Sequence, residues 1–389
     1  MGSSASIEVN KYGFSKTSTA DEVASKFQDQ CRGITVVVTG ANTGLGFETS
    51  RVLAKYGATV ILASRTLKNG EAAVSKIKQE VPNADVSTME LDLGSLKSVK
   101  AFAEAYLQTG KPLHVLINNA GVMACPRLLT ADGLETQFGV NHIGHFYLTE
   151  LLLPRLASTG TVARPARVVN LSSMGNWIFS PPEGILFDDV TAAEKGYDAW
   201  ERYGMSKLAN ILFSKELNRR MKAESKPVIS VSLHPGAILE TELKRHFDFI
   251  TTLSVVMKFS RRFDTFLASV FAFHKSIAQG SSTSILCALD PDIIPAQHYD
   301  DCDVAKVMIH DKVYDGVPRL LCFSSLFHSF SKKTVIKKRK IWPENRIQTR
   351  KSLVGRAKKG VRETKNSNIG LSITMFWKIF CDRVPQFLL

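Results

Sequence analysis

A doubly wound parallel α/β sheet is the fold class this sequence predicts, and three observations predict it. Runs at 35–40, 59–64, 86–93, 113–120, 166–173 and 228–235 are largely apolar rather than alternating, as strands buried on both faces must be. Stretches of helical character near 45–56, 70–80, 95–108, 132–157 and 200–224 separate them, so each strand is followed by a crossover helix. A glycine-rich turn, Thr39-Gly-Ala-Asn-Thr-Gly-Leu-Gly46, joins the first strand to the first helix, where such a sheet opens its ligand crevice.

The first element, 35–40, ends in that turn. Its spacing is G-x-x-x-G-x-G, with Gly40, Gly44 and Gly46 around Asn42, Thr43 and Leu45. Glycines there permit a tight turn and let backbone N–H groups approach a pyrophosphate at the positive end of the next helix. The second strand ends in Ala63-Ser64-Arg65. An acidic residue at this point would bind a ribose 2′-hydroxyl. A guanidinium instead suits a 2′-phosphate, which favours NADP(H) over NAD(H). The third ends in Leu91-Asp92-Leu93, where Asp92 faces an expected adenine pocket or caps the following helix. The fourth closes in Asn118-Asn119-Ala120-Gly121, the fifth in Asn170-Leu-Ser-Ser173, and the sixth in His234-Pro235-Gly236. A further helix is expected over 276–289, stopped by Asp290-Pro291.

Tyr203-Gly-Met-Ser-Lys207 falls in the helix of 200–224. Residues four apart share one helix face, which places an ammonium beside a phenol. A neighbouring cation favours phenolate and is expected to lower the tyrosine pKa from about 10 toward working pH, as a general acid/base requires. His142, His145 and His234 have no metal-ligand spacing around them and read as packing or hydrogen-bonding histidines, so no metal site is expected.

The ordered motifs TGANTGLG, NNAG, Asn141 within Phe138-Gly-Val-Asn-His-Ile-Gly-His-Phe146, NLSS, YGMSK and HPG resemble those of the short-chain dehydrogenase/reductases, which carry a Rossmann fold. The likeness is greatest to the retinol-dehydrogenase-like and WW-domain-oxidoreductase-like branch, without a WW domain. It covers roughly residues 12–303 and includes the lead-in Phe14-Ser-Lys-Thr-Ser-Thr-Ala-Asp-Glu-Val23. The resemblance implies that Tyr203 is the general acid/base, that Lys207 lowers its pKa and binds the nicotinamide ribose, that Ser173 (with Ser172 as rival) bonds the substrate oxygen, and that Asn141 holds a proton-relay water. It implies cofactor contacts at Gly40, Asn42, Thr43, Gly44, Leu45, Gly46, Arg65, Asp92, Leu93, Asn119, Ala120, Gly121, Tyr203, Lys207, Pro235, Gly236 and Thr241. The chemistry is consistent: hydride transfer to a carbonyl develops charge on oxygen, which a hydroxyl donor and an acidic phenol would meet.

Domain organisation follows. Residues 1–30 are expected to form a lead-in and 31–305 the dinucleotide-binding domain, within which the resemblance implies that 240–275 is a substrate lid, here crowded with Phe247, Phe249, Phe259, Phe263, Phe266, Phe271 and Phe273. Those rings favour a small lipophilic substrate such as a retinoid, steroid or aromatic ketone; core packing or a membrane-facing surface is the competing reading. Residues 306–389 are expected to be a basic, disordered extension.

Composition limits the function further. The net charge is +14, yet residues 306–389 hold 19 Lys/Arg against 5 Asp/Glu while residues 1–305 hold 31 against 31, so the basic signal belongs to the tail alone. Nucleic acid is accordingly not an expected partner of the main domain. Six cysteines without ligand spacing read as reduced thiols, and the polar first thirty residues lack a secretory apolar segment. An intracellular protein is expected, cytoplasmic or peripheral on a membrane. Met1-Gly-Ser-Ser-Ala-Ser6 matches a myristoylation pattern, and acylated Gly2 with the basic tail would make two membrane signals. A nuclear-targeting or anion-binding run at 337–340, inert disorder, or the product of a misread gene are the other readings of the tail. A homo-oligomer is left open. Two further functions stay in view: a catalytically idle dinucleotide-binding redox sensor or scaffold, and a tail-driven membrane or nucleic-acid binder.

Overall fold

The computed structural model describes residues 10–186, 196–238, 240 and 274–305, and the backbone of Met308–Ile309 and Lys312–Val313. Gly2, the segment 241–273 with Thr241 and its phenylalanines, and most of the basic tail lie outside the described residues. Chain contacts group Met1–Gly316 into one unit and Val317–Leu389 into another, the second wholly outside the described residues.

Before the sheet, α1 (Ala20–Lys26) starts with a capping box in which Thr19 accepts Glu22 N–H and Glu22 answers at the Thr19 amide; α2 (Gln28–Cys31) follows. The predicted elements had not included these helices, although Thr19-Ala-Asp-Glu22 is a local start signal. The lead-in is held by distant groups: Tyr12 donates its hydroxyl to Asp290 Oδ1 at 2.6 Å and Asn10 Nδ2 donates to the Cys302 carbonyl at 2.6 Å.

β1 (Thr35–Thr39) is buried along its whole length. Successive side chains leave opposite faces of a strand. Val36 and Val38 accordingly join a core with α1 and α3 (Gly44–Lys55), while Val37 joins a separate one. β2 (Thr59–Ser64), α4 (Leu67–Glu80) and β3 (Val86–Glu90) follow, then α5 (Leu96–Gln108) and β4 (Val115–Asn118). Next come α6 (Thr136–Phe138), a π-helical turn (Gly139–Ile143) and α7 (Gly144–Thr159). The predicted helix over 132–157 therefore starts four residues later. Glu135 sets that start, its carboxylate accepting Gln137 N–H at 2.9 Å and Phe138 N–H at 2.8 Å.

β5 (Ala166–Leu171), α8 (Gly175–Ile178), α9 (Ala199–Ala223) and β6 (Val228–Leu233) complete the doubly wound core. β7 (Ala237–Ile238) pairs in parallel with β8 (His274–Lys275). The helix expected over 276–289 is two helices, α10 (Ile277–Gly280) and α11 (Ser282–Leu289). β9 (His298–Asp300) and β10 (Asp303–Ala305) extend the sheet, and β11 (Met308–Ile309) pairs with β12 (Lys312–Val313).

The sheet runs β3-β2-β1-β4-β5-β6-β9-β10, parallel except for the last pair. Register is continuous, with Val38 opposite both Leu62 and Ile117, and Asn118 opposite Asn170. α1, α3, α4 and α11 contribute to one core; α5, α7 and α9 pack on the other face. The order reverses between β1 and β4. The crevice at the carboxyl ends of these strands is where an open α/β sheet binds its ligand.

Candidate active site

The glycine turn lies at that reversal. Gly40 and Gly44 have φ of 63° and 57°, a region costly for other residues. A β-carbon at Gly46 would stand 2.4 Å from both the Gly40 carbonyl oxygen and Asn119 Nδ2. The helix start is thus pressed against the β4 turn. Thr43 makes no side-chain cap and the first turn of α3 carries no acidic residue. A backbone that close, with uncapped amides and no competing carboxylate, fits an anionic pyrophosphate. Asn42, Gly44 and Leu45 are partly buried and Thr43 exposed around it, and Arg65 is exposed after β2.

Asn119 closes the other side. Its Nδ2 donates to the Thr39 carbonyl at 2.7 Å, and the amides of Asn119 and Ala120 donate to Thr39 Oγ1 at 2.9 and 3.0 Å. Asn118 turns inward instead, donating to Asn170 Oδ1 at 2.8 Å. Asp92 accepts Gly94 N–H at 2.9 Å, so its carboxylate organises the turn into α5, and Leu93 is buried beside it. Pro235 and Gly236 are partly buried at the end of β6, with Gly236 at φ 90°.

α9 carries Tyr203 and Lys207, both buried. Tyr203 shares a side-chain hydrogen bond with Ser173. Lys207 Nζ stands 5.7 Å from the Tyr203 ring centroid and donates to the Leu171 carbonyl at 3.2 Å. The expected lowering of the tyrosine pKa is not what the chain by itself produces. Burial raises the phenol to about 12, with the Ser173 bond opposing it, and burial lowers Lys207 to about 8. The ammonium lies over the ring with a backbone acceptor of its own, and desolvation of the phenolate dominates.

Ser172 and Ser173 separate by geometry. Ser172 Oγ donates to the Lys207 carbonyl at 2.8 Å within the interior, whereas Ser173 is partly exposed and faces Tyr203. Gly175 N–H donates to Ser173 Oγ at 3.1 Å, and Met174 N–H donates to His234 Nδ1 at 3.3 Å, which fixes the loop to β6.

Asn141 lies inside the π-helical turn, a feature frequent at functional sites. Its Nδ2 donates to the Val122 carbonyl at 2.9 Å and to Ser206 Oγ at 3.0 Å, while Oδ1 accepts Val122 N–H at 2.8 Å. A β-carbon on Gly121 would lie 3.3 Å from Asn141 Oδ1 and 3.5 Å from Lys207 Nζ, so these two groups border one small space. Asn141 and Lys207 thus meet beside Gly121, and Lys207 in turn lies by Tyr203 and its hydrogen-bond partner Ser173.

Sequence reasoning did not single out Ser206, Asn210 or Gly175. Asn210 lies three residues beyond Lys207, a neighbouring face position that could have drawn attention. Gly175 had no such signal. The three histidines are hydrogen-bonded: His142 to Asn210, His145 to Thr39 and Asn141, and His234 to Met174. Met123, Met174 and Trp177 pack partly buried around the Tyr203 cluster and give the site an apolar wall.

Residues 34–180 match the family model for short chain dehydrogenase. Retinol dehydrogenase 12 of Mus musculus is 44% identical over 275 residues, spanning 70% of this chain and 79% of that protein. The chloroplastic short-chain dehydrogenase TIC 32 A of Brassica napus is 38% identical over 318 residues, 79% of this chain and 94% of its own length. A solved structure of an uncharacterized Mycobacterium paratuberculosis protein shares 37% identity at a TM-score of 0.52, covering 69% of this chain and 80% of that one. The chain belongs to the short-chain dehydrogenase family and is retinol-dehydrogenase-like. It is an oxidoreductase that acts on CH–OH groups with a nicotinamide dinucleotide.

Proposed function

We propose that this protein interconverts a lipophilic alcohol and its carbonyl with NADP(H), using Tyr203 as general acid/base. The observation that carries the reading is the convergence of Tyr203, Ser173 and Lys207 beside an apolar wall of Met123, Met174 and Trp177. Relatives named retinol dehydrogenase support a substrate of the retinoid kind. The nicotinamide supplies or removes the hydride; the chain supplies everything that handles the oxygen.

In reduction, Ser173 donates a hydrogen bond to the substrate oxygen and Tyr203 gives up its phenolic proton to it, converting carbonyl to alcohol. A phenol held near 12 is protonated at neutral pH and equipped to donate. In oxidation, Tyr203 first passes its phenolic proton to the relay water and then, as a phenolate beside the Lys207 ammonium, accepts the alcohol proton. With its pKa near 8, Lys207 remains mostly charged at neutral pH. Asn141 holds the 121–122 loop and presents Oδ1 to the space beside Lys207, where it would hold the relay water.

The glycine turn, Asn119, Ala120, Gly121, Asp92, Leu93, Pro235 and Gly236 would seat the dinucleotide, Arg65 would take its 2′-phosphate, and Thr241 would approach the nicotinamide amide. Residues 31–305 form the catalytic domain in this reading. Tyr203→Phe should abolish retinal reduction while NADPH still binds, read by quenching of protein fluorescence; wild-type turnover in this variant would end the proposal.

Peripheral membrane contact through an acylated Gly2 and the basic tail is part of the same proposal. No helix among the described residues is long and apolar enough to cross a membrane. Loss of anionic-vesicle binding on deletion of residues 306–389, with turnover retained, is the expected result. Unchanged binding would remove the tail from the reading.

A further inference from the structure

A continuous hydrogen-bonded line runs from the cofactor turn through the Asn141 carbonyl to Lys207, and Thr39, His145, Asn210 and Leu171 along it take no part in the chemistry above. It starts at Thr39, whose hydroxyl has one proton and two lone pairs. Both lone pairs are taken by the Asn119 and Ala120 amides, at 2.9 and 3.0 Å. The proton is then left for His145 Nε2 at 2.8 Å, the Ile117 carbonyl at 3.5 Å being the longer alternative. Nε2 is therefore an acceptor. His145 is enclosed on all sides, and burial lowers its pKa to about 3, so the ring is neutral. Its one proton sits on Nδ1 and is donated to the Asn141 carbonyl at 3.0 Å. That carbonyl also receives Asn210 Nδ2 at 3.1 Å, and Asn210 Nδ2 reaches the Leu171 carbonyl at 3.0 Å. Leu171 is the acceptor of Lys207 Nζ.

We propose that His145, held as its Nδ1–H tautomer by Thr39, is a positioning residue that couples the Asn119–Ala120 turn to Asn141 and, through Asn210 and Leu171, to Lys207. It rests on the reading of the site given above. The line admits one tautomer only: an Nε2–H ring would point its proton at a hydroxyl that already receives two. Both lone pairs of the Asn141 carbonyl are occupied, so this residue meets the site through its side-chain amide, which Val122 and Ser206 hold. The hydrogen bonds of the His145 ring go to Thr39 and the Asn141 carbonyl, and it acts by fixing the backbone that carries Asn141.

The helices of this protein supply a control. Asn218 on α9 donates Nδ2 to the carbonyl four residues earlier, Ser214, at 2.7 Å. An asparagine at 145 can make the same bond to the Asn141 carbonyl, whereas leucine fills the volume without it. The experiment compares the full-length wild type, His145→Asn and His145→Leu in NADPH-dependent reduction of retinal. His145→Leu should lose roughly tenfold to a hundredfold in kcat, as expected for a small misplacement, with KM for NADPH nearly unchanged. His145→Asn should recover part of that loss, since it keeps the bond to the Asn141 carbonyl and gives up the one to Thr39. Wild-type kcat in His145→Leu, or equal impairment of both variants, would overturn the proposal.

Nitrogen-15 spectra of labelled histidine in the NADPH-bound wild type give a second reading that no variant can confound. A neutral Nδ1–H ring, unchanged from about pH 5.5 to about pH 9, is expected. An Nε2–H ring, or one that titrates in that range, would overturn it. If the wild type reduces no carbonyl at all, the substrate reading fails separately, and the ring spectrum still decides the role given to His145.

Discussion

Gly175 packs so closely on Tyr203 that a β-carbon at position 175 would lie 2.8 Å from Cε1 and 3.0 Å from Cδ1 of the phenol ring. The ring is held between α8 and its own helix, and Gly204 closes the other contact, since its β-carbon would meet the Ser180 amide at 2.6 Å. Gly175→Ala should therefore displace the phenol. Overpacking of this kind costs about 1–3 kcal/mol, and the shift should lower kcat roughly tenfold or more. Steady-state kinetics beside a cofactor titration will check it: kcat falls while NADPH affinity holds.

The paired serines give a sharper contrast. In the proposed mechanism Ser173→Ala removes a donor to the reacting oxygen and should reduce kcat by roughly 10²–10³. Ser172→Ala removes a buried bond to the Lys207 carbonyl, worth about 1 kcal/mol. Its expected mark is a thermal midpoint lower by about 2–4 °C, with turnover much less affected than in Ser173→Ala. Reversal of the two outcomes would exchange the roles.

Arg65 is exposed beyond β2, where a 2′-phosphate would lie. A charge-assisted hydrogen bond contributes about 1.5–3 kcal/mol, so Arg65→Asp should move the ratio of kcat/KM for NADPH over NADH by roughly tenfold or more toward NADH. An unchanged ratio would remove Arg65 from cofactor selection.

Glu150 supplies a pH test of stability. Burial raises its carboxyl to about 8, against the attraction of Arg220, and Oε1 has no hydrogen-bond partner among the described residues. Between the ordinary carboxylate value of 4.5 and about 8, the unfolded chain is ionised there while the folded chain keeps its proton. The folded state binds more protons, so this residue's contribution to stability falls as pH rises through that window. Glu150→Gln should flatten the decline, which thermal unfolding of both proteins across the window will measure.

Much of the fold was legible because its signals are local. Apolar runs such as 35–40 and 166–173 mark strands buried on both faces, and the glycine turn marks where β1 becomes α3. The likeness of the motifs to a known family brought Asn141, Ser173, Tyr203 and Lys207 together before any geometry was available. Helix ends were less legible. The shift from 132 to 136 depends on a carboxylate cap at Glu135, and the break at Ser281 follows Gly280, where a β-carbon would lie 2.4 Å from Ile238 Cδ1.

The sequence by itself determined the doubly wound sheet, the glycine turn at its reversal and the tyrosine–lysine spacing, all of which depend on neighbours in the chain. Tertiary structure alone decided the electrostatics and the supports. Desolvation is a property of everything packed around a group, so the phenol of Tyr203 is raised although the ammonium of Lys207 is one turn away. The line from Thr39 through His145 to Asn141 joins residues 106 positions apart and then 4, and only the meeting of β1 with α7 brings the first pair within hydrogen-bond reach.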